Sequence, residues 1–162
     1  MSSEANLRHA ILGGAFTYTA RPEPMPGDLR MSWGIAVLLL GLFYSRAKKS
    51  NFLKLQFMAH AVRLPEGREE VRGLLSGAYK PTEVSVRVEP SLNRAVALAH
   101  ALKLVKIEKG TSVSLTDTGE KIATTIVKDD ETLRTEVSFL REIAPKMTDA
   151  LMKRIWRLED LL

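Results

Sequence analysis

Pro90-Ser-Leu-Asn-Arg-Ala-Val-Ala-Leu-Ala-His-Ala-Leu-Lys-Leu-Val-Lys-Ile-Glu-Lys-Gly-Thr-Ser-Val-Ser-Leu-Thr-Asp-Thr-Gly-Glu-Lys-Ile-Ala123 is the stretch that decides the fold. Leu92, Val96, Ala99 and Leu102 recur at helical spacing, so residues 91–103 read as a helix with Pro90 at its start. Val105 and Ile107 then alternate with Lys106 and Glu108, the period of a strand. Gly110 breaks the run, and Val113 and Leu115 resume it, so 104–108 and 112–115 make a hairpin. Thr116-Asp-Thr-Gly-Glu120 has the composition of a helix start, and that helix runs to about residue 128. Helix, hairpin, helix with minimal connections is the order found in the second half of a winged-helix domain.

Upstream, Arg21-Pro-Glu-Pro-Met-Pro-Gly27 has too many prolines for a helix, so residues 1–27 form an extended N-terminal arm. Asp28 is positioned to cap a helix from Leu29 to about Tyr44, apolar nearly all round and therefore expected at the centre of the domain. After the polar turn Ser45–Lys49, Ser50 is placed to cap a helix with Phe52, Leu55, Met58, Ala59 and Val62 on one stripe. Leu64-Pro65-Glu66-Gly67 stops it, and a short helix follows over Arg68–Leu75. Val84, Val86 and Val88 alternate with polar residues, which predicts a strand over 84–88 as the third member of the wing sheet. Downstream, helices are expected over about 131–143, capped by Asp129 or Asp130, and over 148–162, opened by Thr148. The expected architecture is α+β and mostly helical: a winged-helix domain over 28–128 with a small antiparallel sheet, and a C-terminal helical extension over 129–162.

Bulk composition narrows the function. The chain has 162 residues, enough for one domain with a real core, and its 45% hydrophobic and 27% charged content is ordinary for a globular protein. With no cysteine, thiolate metal sites and cysteine nucleophiles are excluded. The N-terminus lacks the pattern of a signal peptide, and the apolar run Met31–Tyr44 is too short to span a bilayer, so a cytoplasmic protein without membrane contact is expected. His9, His60 and His100 have no second ligand at helical spacing, and no phosphate loop or nucleophile elbow is present. No catalytic residue, metal or cofactor is assigned; the expectation is a binding protein, not an enzyme.

The net charge of +5 lies in residues 1–81, with 11 Lys/Arg against 6 Asp/Glu, while 82–162 hold 13 of each. Candidate nucleic-acid contacts are Arg46, Lys48, Lys49 and Lys54, with Arg63, Arg68 and Arg72 further on, together with Arg94 and Lys103 on the helix and Lys106 and Lys109 on the wing. Base readout needs several hydrogen-bonding side chains on the exposed face of the recognition helix, and 91–103 offers few among its alanines. Such a helix suits close packing by a partner at least as well. In the last helix, Leu151, Ile155, Leu158 and Leu162 fall at spacings of 4, 3 and 4, with Trp156 off the stripe. Leu151, Ile155, Trp156 and Leu158 are therefore a candidate partner interface, against the alternative that this stripe packs on its own domain.

Several runs together carry a resemblance. The helix Ser50–Ala61, the short helix Arg68–Leu75, the lead-in Pro90-Ser-Leu-Asn-Arg-Ala95 and the helix start Leu115-Thr-Asp-Thr-Gly119 follow in order, preceded by the proline-rich Arg21–Gly27. In these, from Lys49 to Ile126, the chain resembles the middle components of bacterial ABC three-component anti-phage defence systems, a group that includes the third subunit of Lamassu. The resemblance implies a small non-catalytic subunit working with an SMC/Rad50-like ABC ATPase that senses foreign DNA and with an effector, often a nuclease. The winged helix would then dock subunits and touch double-stranded DNA, if at all, without sequence preference. The rival reading is a winged-helix transcriptional regulator, homodimerising through residues 131–162.

Overall fold

The computed structural model describes residues 27–84 and 86–159, with side chains of the helix ends 27–29 and 157–159 left out. Of the expected arm over 1–27, residues 1–26 lie outside the described residues while Gly27 already belongs to the first helix; Asp28 is likewise inside that helix, and its side chain, Ser85, the Leu158 side chain and Leu162 lie outside the described residues. Among the described residues, seven α-helices and three strands follow in the order α1 (Gly27–Phe43), β1 (Lys49–Asn51), α2 (Phe52–Arg63), α3 (Pro65–Ser76), α4 (Pro90–Ala101), β2 (Val105–Glu108), β3 (Ser112–Leu115), α5 (Asp117–Lys128), α6 (Arg134–Ile143) and α7 (Asp149–Glu159). The described chain is mostly helical with one small antiparallel sheet, an α+β arrangement. No helix among the described residues is long and apolar enough to cross a membrane.

Helix α1 is the axis. Val37, Leu38, Leu39, Leu40 and Leu42 are all buried, which fits an apolar pattern that goes round the helix instead of down one side. α4 and α5 pack on it, as do α2 and α6. Two polar ties join α6 to α1 and the turn that follows it: Trp33 Nε1 donates to Glu136 Oε1 at 2.9 Å, and Arg141 Nε donates to the Tyr44 hydroxyl at 3.2 Å. The buried cluster continues through Phe57 and Met58 of α2 into Phe139, Leu140 and Ile143 of α6, then Met152 and Ile155 of α7. The last two helices therefore share the domain's core.

The sheet has the order β1-β3-β2. In one row Ser50 faces Val113, which faces Ile107; in the next, Lys49 faces Ser114, which faces Lys106. Val105, Val113 and Ser50 turn toward the core, and the Lys49–Ser114–Lys106 row lies on the opposite face. The third strand is thus Lys49–Asn51, and the expected strand over 84–88 is not part of the sheet. Its alternation was real but had another cause: Val84 and Val86 are buried while Val88 is exposed, in a connector that plugs the core without ladder partners. At the end of this connector Gln56 Oε1 accepts from Glu89 N at 2.7 Å.

Pro65 corrects a second expectation. It ends α2 at Arg63 but occupies the first turn of α3, where its fixed φ suits a helix start, so α3 begins three residues earlier than Arg68. The α2 cap is Asn51 instead of Ser50, its Oδ1 accepting from Lys54 N at 2.8 Å. Asp129 terminates a turn by accepting from Glu131 N and Thr132 N, and α6 begins only after Leu133, held at φ 53°. Thr148 Oγ1 accepts from Leu151 N at 3.2 Å, the cap expected for the last helix.

Candidate partner and nucleic-acid interface

Helix α4 has two distinct faces. Leu92, Ala95, Val96 and Ala99 are buried, and Ala95 sits against α1 where Gly34 leaves room. Ala97, Leu98, Ala101 and Leu102 point outward; Leu98 is 41% and Leu102 55% exposed. The alanines at 95, 97, 99 and 101 thus divide equally between core and surface. Two of the helix's polar residues are engaged within the chain. Asn93 Oδ1 accepts from Gln56 Nε2 at 2.7 Å, and His100 Nδ1 lies 3.2 Å from the Val105 carbonyl oxygen. Of the base-reading candidates on α4, Arg94 is left with no ion pair among the described residues.

The basic cluster is partly consumed. Residues 46–48 form a tight turn with Ala47 and Lys48 in the left-handed region, at φ 55° and 52°. Lys48 pairs with Glu120 on α5. Lys49 reaches diagonally across β3 to Glu108, which also accepts from Ser114 Oγ at 3.0 Å. Lys49 foremost, with that hydroxyl, holds the Glu108 carboxyl below its ordinary range. Lys54 is buried and unable to reach a phosphate: its Nζ donates to the Ala144 carbonyl at 2.9 Å, and burial lowers its pKa while the nearby Asp149 charge partly restores it. The assignment of Lys54 as a nucleic-acid contact is therefore wrong, because α2 turns that position inward to tie down the 144–146 turn. Arg46, Arg94, Lys103, Lys106 and Lys109 remain exposed without ion pairs among the described residues. They lie on the 46–48 turn, near the start and just past the end of α4, and on the hairpin.

A buried polar network passed unnoticed in the sequence. Glu89, 9% exposed, lies 3.2 Å from His60 Nδ1 and 3.0 Å from Arg63 Nη1, and its backbone N–H donates to Gln56. Gln56 in turn donates to Asn93. Gln56, His60 and Arg63 occupy i, i+4 and i+7 of a largely apolar helix, and that polar stripe was the available signal. The network fixes the start of α4, and with it the angle at which the outward face is presented.

The last helix is split in the same way. Ile155 is 1% and Met152 2% exposed, whereas Leu151 and Trp156 are half-buried against the core. Ile155 is thus committed to the chain's own interior and is not a free interface anchor. α7 rests on α2 and on the Pro81–Glu83 turn. Trp156 Nε1 is shut off from solvent and has no hydrogen-bond partner among the described residues. No family model, curated protein or solved structure matches the chain.

Proposed function

We propose that this chain is a non-catalytic winged-helix adaptor that joins an SMC/Rad50-like ABC ATPase to an effector nuclease in an anti-phage defence complex. The outward face of α4 is its docking surface. The order α1–β1–α2, then α4–β2–β3, with β1 paired to β3, is what a winged helix would have, with α3 and the connector inserted before the recognition position. The observation that carries the reading is the apolar set Ala97, Leu98, Ala101 and Leu102, standing where a DNA reader would present donors and acceptors. Two alanines in that set let a partner backbone approach closely, and two exposed leucines provide the area to bury. The engagement of Asn93, His100, Lys48, Lys49 and Lys54 within the chain weakens the rival regulator reading for the same reason.

The test is co-purification of the full chain with a co-expressed SMC-like ABC ATPase. Leu98→Glu with Leu102→Glu should leave the monomer's unfolding midpoint nearly unchanged, because both side chains are exposed, and should abolish recovery of the complex. Recovery of an intact complex by the double variant, or nanomolar binding of one duplex sequence by the wild type at physiological salt, overturns the proposal.

A further inference from the structure

We infer that the groove between α3 and α6 binds a short segment of single-stranded nucleic acid, with a base stacked on Tyr79 and phosphates on Arg68, Arg134 and Lys146. Two cavities of about 600 and 450 Å³ lie end to end along the two helices and meet at Glu69 and Arg72. Arg68, Arg134, Thr135 and Ser138 line one end; Gly73, Tyr79 and Lys146 line the other. The two carboxylates in the groove, Glu69 and Glu142, are both held by Arg72, whose guanidinium also lies over the Phe139 ring at 5.5 Å. Arg134 and Lys146 are exposed with no ion pair among the described residues, and Arg68 spends one donor on the Val62 carbonyl. The free charge of the groove is therefore positive.

Tyr79 is what distinguishes this groove from a plain cationic surface. A Cβ at position 73 would fall 2.2 Å from the Tyr79 ring, so the ring is seated directly on Gly73 of α3. Tyr79 N also donates to the Gly73 carbonyl at 3.1 Å. A glycine inside a helix is unfavourable by roughly 1 kcal/mol against alanine. Here it holds an aromatic ring in place while leaving the residue 46% exposed at the groove. A fixed ring with an open face beside cations suits unpaired bases, which stack on aromatic side chains while the backbone follows the positive charge. A duplex keeps its bases stacked on one another, and an acidic peptide has no use for the ring.

The inference is independent of the docking face on α4. It is tested by fluorescence anisotropy of the full chain with an end-labelled oligodeoxythymidine at low salt. Affinity should fall as salt rises, and Tyr79→Ala should weaken it about fivefold or more while Tyr79→Phe retains it. Arg134→Glu, at an exposed position, should weaken it and flatten the salt dependence. Leu98→Glu with Leu102→Glu should bind the oligonucleotide as the wild type does. Equal affinity for polyglutamate or for a duplex of the same length overturns the inference, as does wild-type binding by both Tyr79→Ala and Arg134→Glu, or no binding at all.

Discussion

Lys54 shows how much one residue's meaning depends on its surroundings. Read in sequence, it belonged to a run of cations ready for phosphate; in the fold it is a buried amine feeding a backbone carbonyl of the 144–146 turn. Burial lowers its pKa from the ordinary 10.5, with Asp149 opposing the shift. The charged form is therefore disfavoured in the folded state. As pH rises through the lowered value toward 10.5, the unfolded chain keeps a proton that the folded chain has released, so folding gains stability in that window. Lys54→Met removes the gain. The melting temperature of the wild type should rise relative to that of Lys54→Met as pH approaches 10.5 from below, and parallel curves for the two proteins would refute the assignment. Trp156 teaches the same lesson from the opposite side. Its position off the leucine stripe suggested an external anchor, yet it is half-buried against the domain's own core.

At the scale of elements, local signals held where a single stretch of chain satisfies its own requirements. The hairpin and α4 to α6 appear close to where periodicity put them, because their alternations match the faces they bury. The helix start at Thr116 is equally local: its Oγ1 accepts from Gly119 N at 3.1 Å and donates to the backbone just before β2. Gly119 has a further, non-local reason to be glycine. A Cβ there would stand 2.1 Å from the Leu104 carbonyl oxygen, a backbone atom that cannot swing aside. Gly119→Ala should cost about 3 kcal/mol by urea denaturation, since α5 would have to lift off that turn. Gly77→Ala is the control: its φ of 81° is unfavourable for alanine but nothing lies within 4 Å, so about 1 kcal/mol is expected. Equal costs at the two positions would show that backbone conformation, and not the close approach, governs Gly119. β1 was invisible for a different reason. Three residues, Lys-Ser-Asn, carry no alternation to read, and only the presence of β3 beside them makes them a strand.

At the scale of the whole molecule, the central question is whether 129–159 stands apart from the domain. The buried cluster runs without a break from α1 to Ile155, so one cooperative unit is expected. Ile155→Ala should lower the unfolding free energy by about 2–5 kcal/mol in a single transition with an unchanged denaturant slope. A second transition, or a variant as stable as the wild type, would mean that the helix docks elsewhere. The sequence by itself determined the α+β class, the apolar central helix, the hairpin and most helix boundaries, because these rest on short-range periodicity and caps. Only the tertiary structure decided which strand completes the sheet, which cations are spent in ion pairs, which face of α4 stays open, and that Tyr79 is seated on Gly73 beside a basic groove. Each of these depends on partners dozens of residues away or on room made by a glycine, and such contacts leave no repeating pattern in the chain.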